Sequence, residues 1–151
     1  SGTVRVGNGG ELGVSGDIDL NGGLLTVNGT GRLVADNLNA NAGARITGTG
    51  RIALDSTLRA GSGSTLAPGN SPGLLTINGD LTIDGGTLLI ELAGADPGQY
   101  DVLRVEGDLA FNSGAFNLSL LDGFKPAGNS EFRVIEVRDT LSLNTGAVTF
   151  G

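Results

Sequence analysis

Short runs of alternating aliphatic and polar residues recur along this chain, separated by clusters of Gly, Asn and Asp. Starting at Ile18, Leu38, Leu58, Leu81, Leu109 and Leu141, six segments read IDLNGGLLTV, LNANAGARITG, LRAGSGSTLAP, LTIDGGTLLIEL, LAFNSGAFNLSL and LSLNTGAVTF. Each predicts a short strand, a small polar turn and a second strand. A third strand follows in most of them: RLVA from Arg32, RIAL from Arg51, LLTI from Leu74, DVLRV from Asp101 and FRVIEV from Phe132. With the three families named A, B and C, TVRV from Thr3 is a B strand and ELGV from Glu11 a C strand. The order A-B-C then holds along the whole chain, with seven B, six A and six C strands, 19 in all. No stretch of ten or more residues places apolar positions at helical spacing, so the reading is all-β.

Three short strands per repeat, joined by tight turns, predict a right-handed parallel β-helix of about six coils, forming a single domain over residues 1–151. Strands of one family stack about 4.8 Å apart, which makes a prism on the order of 30 Å tall. The alternation assigns the two faces of each strand. Val4/Val6, Ile18/Leu20, Leu25/Val27, Leu75/Ile77, Leu81/Ile83, Leu118/Leu120 and Leu141/Leu143 point inward; Arg5, Asp19, Thr26, Thr76, Thr82, Ser119 and Ser142 point outward. Phe111, Phe116, Phe132 and Phe150 widen the core towards the C-terminus. A β-sandwich would explain the alternation but not the fixed three-strand order.

Counted between successive A strands, the coils are 20, 20, 23, 28 and 32 residues long, from Ile18 to Leu141. The additions fall between B and C strands, at Pro68–Gly73, Ala93–Tyr100 and Leu121–Glu131, and all four prolines lie there. Insertions on one corner of a solenoid form one face, often a binding face. The candidate contact residues on that corner are Pro68, Asn70, Pro72, Asp96, Tyr100, Phe124 and Lys125. The alternative is that these loops only shield a widening column.

Composition narrows the chemistry. Gly is 28 of 151 residues, without the strict G-X-Y period of collagen. Cys, Met, Trp and His are absent, which removes disulfides, thiolate sites and the commonest general base and metal ligand. The net charge of −7, with scattered charges, argues against a nucleic-acid partner. No apolar run approaches the roughly 20 residues of a membrane span. A start at Ser1 suits a processed or trimmed chain.

The run from Gly61 to Leu92, GSGSTLAPGNSPGLLTINGDLTIDGGTLLIEL, resembles the autotransporter-associated β-strand repeat, most specifically in LAPGNSPG. The segment from Tyr100 to Val137 resembles the stretch that commonly follows it in such passenger domains; the first sixty residues match only in style. This resemblance implies an exported bacterial β-helix, secreted or at the cell surface, that serves as an adhesin, stalk or scaffold. It transfers no catalytic residue, because the shared motif builds a coil.

Paired carboxylates are the residues that polysaccharide cleavage would use. Asp101, Glu106 and Asp108 share one coil, and Glu131, Glu136 and Asp139 the next, which could give the separation a glycosidase needs. With one Tyr and no Trp to stack a sugar, and with the acids near turns, the expectation is no enzyme. No cofactor is expected either. The Gly/Asp turns lack the tandem nine-residue period of a calcium coil, which leaves weak surface calcium open. Neither predicted end carries a capping helix, so exposed strand edges invite stacking. The expectation is therefore an extracellular structural or adhesive solenoid, a passenger or matrix scaffold segment. Its partners would be copies of itself meeting end to end as a filament, neighbouring coils of a longer chain, or surface glycans and host components. The alternative is a polysaccharide-binding or polysaccharide-degrading module that uses the B–C corner loops.

Overall fold

The computed structural model describes residues 2–70 and 72–151. Ser1 and Ser71 lie outside the described residues, so the LAPGNSPG segment is described on both sides of Ser71 only. The strands are β1 (Thr3–Val6), β2 (Glu11–Gly13), β3 (Ile18–Asn21), β4 (Leu24–Val27), β5 (Arg32–Ala35), β6 (Leu38–Asn41), β7 (Arg45–Gly48), β8 (Arg51–Ala60), β9 (Thr65–Pro68), β10 (Leu74–Leu92), β11 (Val102–Val105), β12 (Leu109–Leu120), β13 (Ile135–Val137), β14 (Leu141–Leu143) and β15 (Val148–Phe150).

These strands form a parallel β-helix with three ladders. The B ladder runs β1, β4, β7, β9, the last part of β10, the last part of β12, and β15. The C ladder runs β2, β5, the start of β8, the start of β10, β11 and β13. The A ladder runs β3, β6, the end of β8, the middle of β10, the start of β12, and β14. Counted by ladder position, the chain contributes seven B, six C and six A segments. They merge into fewer strands because β8, β10 and β12 turn corners without breaking. In β10 the corners are register shifts, at Asn78/Asp80 and between Ile83 and Thr87. A bulge of this kind bends a strand while keeping it in its ladder.

Alternation along each strand sends aliphatic columns into the interior. Ile18, Leu38, Leu58, Leu81, Leu109 and Leu141 stack in register in the A ladder. Leu12, Leu33, Ile52, Ile77, Val105 and Val137 do the same in the C ladder. One hydrophobic cluster runs from Val6 to Val148. Outward positions build polar ladders instead: the side-chain amides of Asn37 and Asn39 donate to Asp17 and Asp19 one coil earlier, each at 2.9 Å. Ile77 sits fully buried between Ile52 and Val105. Ile77→Val removes one methylene from this column and is expected to cost about 1 kcal/mol. The check is a lower urea midpoint at unchanged slope.

Two sequence expectations change in detail. Val4, Leu118, Leu120, Leu141 and Leu143 occupy inward columns, yet each is more than 40% exposed, because no described rung covers them (42%, 46%, 50%, 55% and 42%). The C strand expected from Phe132 begins only at Ile135. Phe132 is drawn to the corner by two other rings, as described next, and does not extend the regular ladder.

Candidate functional site

The B–C corner grows from four residues at 7–10 to the long loops at 93–101 and 121–134. Its first elaborate level is the turn after β9. Pro68 is buried at the strand end, where the inward column needs an apolar group. Gly69 takes a positive φ of 88° and pairs with Gly48 through both backbone groups, at 2.8 and 3.2 Å. The Thr47 hydroxyl donates to the Gly69 carbonyl at 2.8 Å. Asn70 is exposed, and its amide reaches Asn28 Oδ1 at 2.9 Å, two coils earlier. Pro72 is half-buried beyond Ser71.

Asp101 ties this level to the next. Its side chain is wholly buried and accepts from the Gly73 backbone N–H at 2.8 Å and the Glu91 N–H at 2.9 Å. Its own N–H donates to the Glu91 carbonyl at 2.9 Å. Burial pushes its pKa up to about 6. The two backbone donors oppose that shift and the nearby Glu91 charge adds to it, but loss of hydration is the largest effect. Asp101, considered from sequence as a catalytic carboxylate, is thus a brace between loops.

Loop 93–101 closes on itself through Gln99, whose carbonyl accepts from Ala93 and Gly94 at 2.8 and 3.0 Å. Asp96 is exposed at its tip, where its N–H donates to the Gln99 side chain at 3.2 Å. Tyr100 turns inward and meets Phe132 edge-to-face, with ring centroids 5.4 Å apart. Phe124 also meets Phe132, with ring centroids 6.1 Å apart and the planes near perpendicular. Such T-shaped pairs align the positive rim of one ring with the negative face of another. Lys125 remains exposed beside them. The structure therefore gathers Tyr100 and Phe124 around Phe132, a hub missing from the sequence-based set. It keeps Pro68, Asn70 and Pro72 one level away, and leaves Asp96 and Lys125 on loop surfaces. Only the Phe132 aromatic side chain, placed among Gly/Pro-rich loops, signals that hub in the sequence.

Glu106, Asp108, Glu131, Glu136 and Asp139 are spread along the C face and the neighbouring turns. Glu136 pairs with Arg104 at 2.8 Å and Glu106 with Arg138 at 3.8 Å. Asp108 accepts from the Thr140 N–H at 2.9 Å, while its own N–H donates to Asp80 at 2.9 Å. Glu131 and Asp139 are exposed. Among the described residues, no group of three or more acidic side chains is placed to hold a metal ion. The arrangement is chemically that of a braced wall: each acid with a stated partner holds one coil to the next. Set against protein-family models, curated proteins and solved structures, the chain finds no match.

Proposed function

We propose that this chain is a structural β-solenoid of an extracellular or cell-surface assembly, a rod segment whose end rungs meet further coils, either those of another copy stacked end to end or neighbouring coils of a longer chain. The observation that carries this reading is the run of aliphatic columns through every coil to exposed apolar groups on the last described rung. There Leu118, Leu120, Leu141, Leu143 and Phe150 are 42 to 60% exposed. At the opposite rung Val4 is also exposed, and Leu12, Ile18 and Leu20 are only partly covered. Both faces carry apolar groups in the A and B ladders, so a further coil can continue those columns. Parallel edges with unpaired backbone groups favour the same partner.

The resemblance of Gly61–Leu92 to the autotransporter-associated repeat supports the surface assignment, and the matching role would be adhesin, stalk or matrix scaffold. The partner bonds of Asp101, Glu106, Asp108 and Glu136 speak for a wall rather than a degradative centre. The test is electron microscopy and sedimentation of the purified chain over a wide concentration range. Rods that lengthen with concentration, and that shorten when Leu141 and Leu143 are both changed to Glu, are the expected result. Particles of one coil-stack length at every concentration would overturn end-to-end assembly.

A further inference from the structure

We propose that an arginine-lined groove on the C face binds a linear anionic polysaccharide. This surface is separate from the open rungs, and the inference does not depend on end-to-end stacking. The outward column of the C ladder reads Glu11, Arg32, Arg51, Thr76, Arg104, Glu136 in register. With rungs about 4.8 Å apart, the three arginines spring from a line roughly 14 Å long.

Arg32 against Arg51 is a like-charge pair directly in register, which destabilises a sheet. Among the described residues it is the one registered pair of like charge in any ladder. Elsewhere neutral or opposite groups stand between charges, as Asn39 does between Asp19 and Arg59. In a chain of net charge −7 this pairing is not a by-product of general basicity. The acids that serve the array stand at its two ends: Glu11 pairs with Arg32 at 3.3 Å and Glu136 with Arg104 at 2.8 Å. In the middle, Arg51 bonds the neutral Asn78 Oδ1 at 2.5 Å. Positive charge is thus concentrated at the centre, where a bound anion would relieve the repulsion.

The groove has a volume of about 340 Å³ and is lined by the three arginines, Leu74, Thr76 and the short corners at Thr30 and Thr49. Those corners are short, four residues at 28–31 and two at 49–50. Leu74 and Arg104 also border the adjoining depression at Tyr100, which places an aromatic ring at the far end. The hydroxyls of Thr30 and Thr49 accept from Gly9 and Gly29 N–H at 2.8 and 2.9 Å, leaving their own hydrogens to donate outward. Guanidinium forks suit planar carboxylate and sulfate groups, and hydroxyl donors suit the sugar between them. A nucleic acid fits less well, because its bases find no row of aromatic platforms here and the chain's overall charge repels its backbone.

The test is binding of the full chain to polygalacturonate, which carries carboxylates, and to heparin, which carries sulfates. Dextran serves as the neutral control and single-stranded DNA as the competing polyanion. Retention on either acidic glycan, weakened by added salt, is expected. Arg32→Gln/Arg51→Gln should lower that affinity about tenfold or more, the scale of losing charge-assisted bonds. Arg59→Gln, which removes an arginine on the A face paired with Asp84 at 2.7 Å, should leave it unchanged. Binding to one glycan alone identifies the anion read. The double variant loses the Glu11 ion pair and the Asn78 bond along with the repulsion, so a thermal melt well above the assay temperature is required of it to show that loss of binding is not unfolding. No binding to either glycan, equal loss with the Arg59 variant, or stronger binding to DNA would overturn the proposal.

Discussion

Gly48→Ala is expected to lower stability by about 3 kcal/mol, the sum of backbone strain and overpacking. Gly48 stands in the inward column of the B ladder between Val27 and Pro68, with φ at 122°. Any side chain there adopts a backbone region that L-residues avoid. A Cβ would also be driven into the backbone of Val27, where the coil below cannot yield without breaking its own ladder. For a chain of this size the loss corresponds to roughly 10 °C in melting temperature. Gly43→Ala provides the comparison. Its φ is 85°, but a Cβ there meets nothing within 4 Å, so only strain remains, about 1 kcal/mol. Thermal unfolding of both variants checks the pair; equal shifts would show that the close approach to Val27 is unimportant.

Asp101→Ala is expected to cost about 2 kcal/mol at pH 7, because the Gly73 and Glu91 N–H groups lose their acceptors. The cost should rise on acidification. With a folded pKa raised to about 6 from an ordinary 3.8, the native state binds the proton more tightly than the unfolded chain does. The group's contribution to stability is then fully present below about pH 3.8 and is lost as pH rises through 6. Between pH 7 and 4.5 the gap between parent and variant should widen by about 2 kcal/mol. Urea titrations of both proteins at the two pH values measure this. A gap that narrows in acid would mean the carboxylate is stabilised in its charged form, with hydrogen bonding outweighing the loss of hydration.

The ladder order was legible because side-chain alternation is local. Ile18/Leu20 and Leu81/Ile83 announce their faces within three residues, and the Gly/Asn turns separate them. Unequal coil lengths hid what depends on register. Arg32 and Arg51 each open a C strand, so their stacking could have been read directly. Arg104 joins that column only because Thr76, the third residue of β10, aligns with Arg51. The role of Asp101 was equally hidden, since the sequence places it at the edge of a strand and cannot show that Gly73 and Glu91 converge on it. The Phe132 hub depends on two loops of different lengths bringing Tyr100 and Phe124 to one point. The Pro68–Gly73 corner was visible as an insertion. Its tie to Asn28 two coils away was not, because hydrogen bonds between loop side chains leave no periodic trace.

Every registered ladder pairing joins residues one coil apart along the chain, from 19 positions for Arg32 and Arg51 to 34 for Gly114 and Val148. None brings the first coil against the last. A chain built this way can fold as it is fed out of a narrow exit, each new turn completed on the surface of the one before. It has no need to wait for its far end, and a blocked turn leaves the finished ones standing. Growth from one side also gives the process a direction, with the newest rung always the sticky one.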